Sequence, residues 1–375
     1  MSVPLERRTL ALVLGLALFG GVLCIAGLLG DPDAFRRAYF TAVMLAFQIP
    51  LGCLALLIAW HVMGGRWGLV IADALEVGVR TLPLVALLFL PLLLEVDVVY
   101  PWARDAYLAE HETVARKVAW LNPAFFTVRS LAYLIVWLGL GLALTAGRSP
   151  AVERVRRPRI GISAAILYAL TVTFAAFDWL MSLEPLFNST VYGMVLMSAQ
   201  AVGALALATL ATLLVARAEH RLGVLREDGL LGLGSLLLAL VMLWAYHAFM
   251  QLLVIWSGDL PHHAEWYLVR IEGVWLPVAW LIGIGHLAVP FFVLLSHRAR
   301  ASVGIVMGIA ALIVLMRLLD MLWLTLPAFR DALPPAWLVL GALLAVLGLW
   351  TAAFLWMLRR RVDWIGRAAL EAADG

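Results

Sequence analysis

The chain has 375 residues, of which 64% are hydrophobic and only 14% charged, and its mean hydropathy is +0.99. A soluble domain is nearer half apolar and about a quarter charged, so the composition excludes a soluble globular protein and indicates an integral membrane protein. The net charge of +3 rests on arginines placed mostly in loops, with Lys117 the single lysine. That pattern speaks for topology signals and lipid headgroups and against nucleic acid.

Ten apolar runs are long enough to cross a hydrocarbon core of about 30 Å. They lie at 9–29, 39–62, 68–97, 123–146, 161–183, 188–216, 229–256, 273–297, 301–326 and 335–358. Backbone groups in lipid must be satisfied within the segment, so these runs are predicted helices. The first run follows Arg7 and Arg8, is long for a signal peptide and has no A-x-A site after it, so it reads as an uncleaved span. Cys24 and Cys53 both fall inside apolar runs, and no CxxCH, CxxC or four-cysteine set exists. A c-type haem or an iron–sulfur cluster held by this chain is therefore excluded, and no cofactor is expected to be held covalently.

Placing the N-terminus in the cytoplasm puts 17 of the 27 basic residues inside and 7 outside, with Arg80, Arg129 and Arg317 within spans. The positive-inside rule then sets both termini in the cytoplasm. Two outer segments, 98–122 and 257–272, read as amphipathic surface helices anchored by Trp102, Trp120 and Trp266, or as a docking surface for a partner. His262, His263 and Glu265 lie in the second of them. Adjacent histidines point to different sides of most elements, so no metal site is expected.

Charges at membrane depth are costly and are functional candidates by default. Asp73, Glu76 and Arg80 follow one another at i, i+3 and i+7 on the third span, on one helix face, and Glu76 and Arg80 can pair. The acids fall in the inner half and Arg80 near the middle, unless the span starts later and they sit among headgroups. Asp178, Arg317 and Asp320 fall in the outer half, as a proton site or as an ion pair locking two helices. His247 and His286 lie on adjacent antiparallel spans, an arrangement that gives no second pair for a b-type haem. They are packing histidines or, having a pKa near neutral, members of a proton relay. Together these groups would make a broken polar path of the kind found in pumps and transporters.

The run Phe177-Asp178-Trp179-Leu180-Met181-Ser182-Leu183-Glu184-Pro185 has an echo in Asp320-Met321-Leu322-Trp323-Leu324-Thr325-Leu326-Pro327. Each reads Asp, Leu two residues on, and Pro seven residues on. Both helices run outward, so the repeat is parallel, not inverted. Its unit is four helices, giving bundles at 39–183 and 188–326 (spans two to five and six to nine), with the first span and the last, 335–358, flanking them. The fold expected is all-α, integral to the membrane, with about ten spans.

Thr81-Leu82-Pro83, Leu87-Leu88-Phe89-Leu90-Pro91, Tyr100-Pro101-Trp102, Leu121-Asn122-Pro123, Phe125-Phe126 and Arg129 occur in that order. After the Phe177–Pro185 run come Trp244-Ala245-Tyr246, Gln251, Trp256, Leu260-Pro261, Gly285-His286 and Pro290-Phe291. This order and spacing over residues 40–330 resembles the second quinone-binding membrane subunit of bacterial alternative complex III, a quinol:cytochrome c (or other acceptor) oxidoreductase. Its large membrane subunits are similar to polysulfide-reductase (NrfD-like) membrane subunits. The resemblance implies a multi-pass protein of the bacterial inner membrane with two four-helix bundles and possession of no redox centre. It also implies a quinone or quinol ligand, a sister membrane subunit, and extracytoplasmic iron–sulfur and cytochrome c partners. His247 and Ser257-Gly258-Asp259 depart from the family's pattern.

Three functions remain open on sequence: a respiratory-complex subunit supporting quinol chemistry and proton movement, a stand-alone proton-coupled secondary transporter, and a structural membrane anchor. The topology is directly testable. A reporter fused at Gly375 should be active in the cytoplasm and silent outside; the opposite result overturns the orientation.

Overall fold

The computed structural model describes residues 3–145, 157–218 and 227–360. Arg148, Arg154, Arg156, Arg221, Arg226, Arg361 and Arg367, which weigh in the orientation, lie outside the described residues, as does Gly375. In chain order the helices are α1 Val3–Gly30, α2 Pro32–Met63, α3 Arg66–Arg80, α4 Leu82–Phe89, α5 Val96–Val99, α6 Asp105–Glu110, α7 Glu112–Ala115, α8 Pro123–Thr145 and α9 Pro158–Trp179. There follow α10 Tyr192–Ala218, α11 Glu227–Gly258, α12 Pro261–Arg270, α13 Trp275–Ile282, α14 Val289–Leu295, α15 His297–Arg300, α16 Val303–Thr325 and α17 Ala336–Arg359. Among the described residues ten stretches are helical, long and apolar enough to span a membrane, and none is a strand, so the protein is an all-α integral membrane protein. One crossing joins α3, α4 and a short 3-10 turn, and another joins α13, a π-helical segment at Gly283–Ala288 and α14. The side on which α1 begins is called the near side below, and the opposite one the far side.

Local chemistry moves one boundary from its expected place. The second span starts at Pro32, not at 39, because Asp31 Oδ1 accepts from the Ala34 N–H at 3.0 Å and Pro32 occupies the first helical position. Arg36 and Arg37, expected in a loop, therefore ride on the first turns of α2, where Arg36 pairs with Asp33 and Glu95. At the other end of α2, Gly64 and Gly65 take φ of 77° and 106°, a conformation open to glycine without strain, and turn the chain straight into α3.

The first set of four crossings closes on itself, with α2 packed on α3 and α9, and α8 packed on α9, α3 and α4. In the second set α10 packs on α11 and α16, while α13 and α14 close the ring against α16 and α11. The two sets meet along α2 and α10. There a Cβ on Gly52 would stand 2.0 Å from the Gln200 carbonyl oxygen and 2.6 Å from the Ala204 Cβ, so the helices touch backbone to backbone. This makes α2 the axis of the molecule: 83% of its apolar window is buried, against 11% for α1. The first and last crossings pack on each other, and α17 rests on α2 and α3, so both flank the first set. Gly20, Gly341 and Gly348 set their close approach.

The far-side cap corrects one expectation. Trp102 and Trp266 are buried, not anchored at a lipid interface. Trp102 Nε1 donates to Ser182 Oγ at 3.1 Å, and Trp266 stacks on Phe187 at 4.9 Å, so both hold the cap onto the Phe177–Pro185 run. Lys117 does the same, donating to the Pro185 carbonyl at 2.9 Å, and its partial burial lowers its pKa below the usual lysine value.

The α2–α10 contact yields a prediction. Gly52→Val forces a side chain into the Gln200 backbone and should cost about 3 kcal/mol or more, the upper range for overpacking. Gly15→Val, where no described residue lies within 4 Å of the new Cβ, should leave the melting temperature of the detergent-solubilised protein unchanged. Equal melting temperatures for the two variants would contradict the close crossing.

Candidate functional site

Asp178 sits at the far-side end of α9, wholly buried. Its Oδ2 accepts from Arg129 Nε and from the Tyr133 hydroxyl, each at 2.8 Å. Its Oδ1 accepts from Arg129 Nη2 and Trp120 Nε1, each at 2.9 Å. Arg129 Nη1 donates to the Trp120 carbonyl at 2.9 Å, and the guanidinium carbon lies 4.1 Å from the Trp120 ring centre and 4.3 Å from that of Phe125. A carboxylate offers about four lone-pair directions, and here every one is met by a donor. The arginine is likewise spent, between the carboxylate, a carbonyl and two ring faces. Such a group has no site left for an incoming proton without breaking a bond. Its geometry is that of a clasp joining α8, α9 and the far-side cap.

Arg317 and Asp320 form a different site. They pair with each other one turn apart on α16, both buried, and Arg317 Nη2 reaches Gln48 Oε1 on α2 at 3.4 Å. The arginine stem passes over α10 at Gly203, where an added Cβ would lie 3.2 Å from Arg317 Cγ. The π-helical segment that carries His286 packs on the same helix, and Gly285 beside it would meet Met316 if it carried a Cβ. The His286 ring lies 4.0 Å from that of Trp244 on α11. Among the described residues neither His286 nitrogen has a hydrogen-bond partner, nor have Trp244 Nε1 and Arg317 Nε, though all four atoms are enclosed. Each buried orphan costs about 1–3 kcal/mol, so this cluster keeps unspent polar capacity where the Asp178 clasp has none. π-helical turns inside α-helices concentrate at functional sites.

The residues singled out from sequence thus separate. Among the described residues no hydrogen bond or ion pair joins Asp178 to Arg317 or Asp320; the expected outer-half trio is two sites, one in each set of crossings. His247 and His286 have different neighbours: His247 Nδ1 lies 3.1 Å from Ser198 Oγ on α10, and the His286 ring lies against Trp244 on α11. On α3, Glu76 is buried while Asp73 and Arg80 are half-buried, and all three have partners. Arg80 Nη2 donates to the Thr145 carbonyl at 2.9 Å, which places its head at the near-side end of α8 and not at mid-membrane.

A further buried arginine was not anticipated. Arg270, at the end of α12, donates to Glu184 at 2.6 Å, to the Leu324 carbonyl at 2.9 Å and to the Trp266 carbonyl at 2.8 Å. It thereby ties the first acidic motif to the second. Glu184 also lines a far-side cavity of about 640 Å³, together with Arg104, Tyr107, Glu265 and Arg330. Gln48 and Tyr133 were likewise missed, and Trp120 and Trp244 were singled out for other reasons than their contacts with Asp178 and His286. Only Arg129 carried a readable signal, an arginine inside a span that needed a carboxylate.

No protein-family model matches the chain, and no curated protein matches it.

The clasp predicts a double-mutant signature. Asp178→Leu strands a buried guanidinium and should destabilise the protein by about 3–5 kcal/mol, as should Arg129→Leu. The double variant should be more stable than either single one, by thermal melting. Simple addition of the two losses would show that the pair is not coupled.

Proposed function

We propose that this protein is an integral membrane subunit of a quinol:electron-acceptor oxidoreductase of the alternative complex III type. In this reading it lies in the bacterial cytoplasmic membrane with both termini in the cytoplasm. It stands beside a sister polysulfide-reductase-like subunit and beneath extracytoplasmic iron–sulfur and cytochrome c subunits that hold the redox centres. The sister subunit is the better candidate for oxidising quinol itself. The part assigned to this chain is to hold and pass protons, because quinol oxidation releases two protons with its two electrons and the electrons leave through the partners.

The observation that carries the reading is the cluster of His286, Arg317 and Asp320 inside the second set of crossings. It combines a base, a carboxylate and a fixed positive charge at membrane depth with polar atoms left unpaired. A purely structural ion pair needs no histidine without partners beside it. The Asp178 clasp supports a second role, that of anchoring the far-side cap on which extracytoplasmic partners would rest. A stand-alone proton-coupled transporter would use the same cluster, and partners decide between the two.

The test is purification of the tagged protein from its native membrane. Iron–sulfur and cytochrome c subunits should come with it, and the complex should reduce an acceptor with quinol. In that complex Asp320→Asn should lower turnover at least tenfold, equivalent to about 1.4 kcal/mol in the barrier, with assembly retained. Isolation without partners together with proton-coupled solute uptake would establish the transporter instead. An assembled Asp320→Asn complex with unchanged rate and proton stoichiometry would leave only the anchor.

A further inference from the structure

Between α2, α8, α9 and α10 lies a small cavity of about 20 Å³, separate from the far-side cavity. Its wall is mostly apolar, with Met44, Phe47, Trp137 and Trp179 among the lining side chains, but two buried amides also face it, Gln48 from α2 and Gln200 from α10. It sits at the seam between the two sets of crossings, one helical turn from the Gly52 contact. A cavity of this size holds one water, which needs at least about 10–15 Å³ and two to four polar partners.

The orientation of both amides is set from outside the cavity. Arg317 can only donate, so the Gln48 atom at 3.4 Å from its Nη2 is the carbonyl oxygen. In the structure the Tyr168 hydroxyl donates to Gln200 Oε1 at 3.0 Å, giving the second amide the same orientation. Each amide therefore spends its oxygen on a neighbour and has its NH2 group left to serve. We propose that one ordered water occupies this cavity, accepts a hydrogen bond from each of the two NH2 groups, and so bridges α2 and α10. Its own hydrogens meet the ring faces and the Met44 sulfur, weaker partners that suffice for a water already held by two amide donors. The bridging water makes Gln48 a positioning residue: held at its nitrogen, its oxygen stays aimed at Arg317. This proposal rests on the geometry of the seam and not on the assignment to a quinol-oxidising complex.

Radiolytic hydroxyl footprinting of the full chain in lipid nanodiscs tests it, because radicals formed from a bound water oxidise the side chains next to it. Met44 and Trp179 should be oxidised at least tenfold faster than Met321 and Trp102, which are as well buried but line neither cavity. Ala176→Val places carbon in the cavity wall and touches neither amide; it should bring Met44 and Trp179 down to the level of the two controls. Wild-type labelling of Met44 and Trp179 no faster than that of Met321 and Trp102 would overturn the proposal, whatever the variant does. So would undiminished labelling in a folded Ala176→Val protein.

Discussion

A charge inside the bilayer must find its counter-charge within the protein, and this constraint organises the whole molecule. Leaving a buried carboxylate or guanidinium without its partner costs about 3–5 kcal/mol, a large part of a fold's stability, so the partner's position is constrained once the charge is placed. Asp178 recruits Arg129 from the neighbouring crossing, and with it Tyr133 and Trp120. Asp320 finds Arg317 on its own helix. Glu184 finds Arg270 on the far-side cap. The first and third pairs join different elements and tie the far ends of the crossings together, and the glycine contacts between α2 and α10 and between α1 and α17 decide how closely the rest can follow.

The pairs differ in what they leave over. The Asp178 clasp is closed, every lone pair matched and both partners covered by aromatic rings. Replacing it with apolar residues of similar volume would cost less than breaking it on one side, the remaining loss being the Tyr133 and Trp120 donors left without an acceptor. The Arg317–Asp320 pair is open: among the described residues Arg317 Nε has no hydrogen-bond partner, nor has either nitrogen of His286 on the segment packed against the same helix. A buried polar atom without a partner is costly, and the histidine concerned sits on a π-helical turn, an element that concentrates at functional sites. The proposed proton role belongs to this open site for that reason, and the closed clasp belongs to architecture.

Much of the fold was legible because lipid simplifies the code. Ten apolar runs gave ten crossings, since the length of a run and the thickness of the bilayer leave few choices. The start of α2 was misplaced because the arginines at 36 and 37 look like loop residues until Asp31 and Pro32 are seen to cap a helix that carries them. The acidic motifs stood out as charges next to apolar runs. Their partners did not, because pairing across helices depends on adjacency, and adjacency is set by packing that no single segment encodes. Gln48 and Trp244 carry no charge and no pattern, and only their positions beside Arg317 and His286 give them meaning. Arg129 was visible as a charge within a span, yet three in-span arginines and several acids allow many pairings.

The central claim is that the open site, and not the clasp, exchanges protons. Infrared difference spectroscopy on the membrane complex during quinol-driven turnover measures this directly through the carbonyl stretch of a transiently protonated carboxyl group. The account predicts one such band that disappears in Asp320→Asn and persists in an Arg129→Leu/Asp178→Leu protein. A band that survives in Asp320→Asn and vanishes when Asp178 is removed would contradict it.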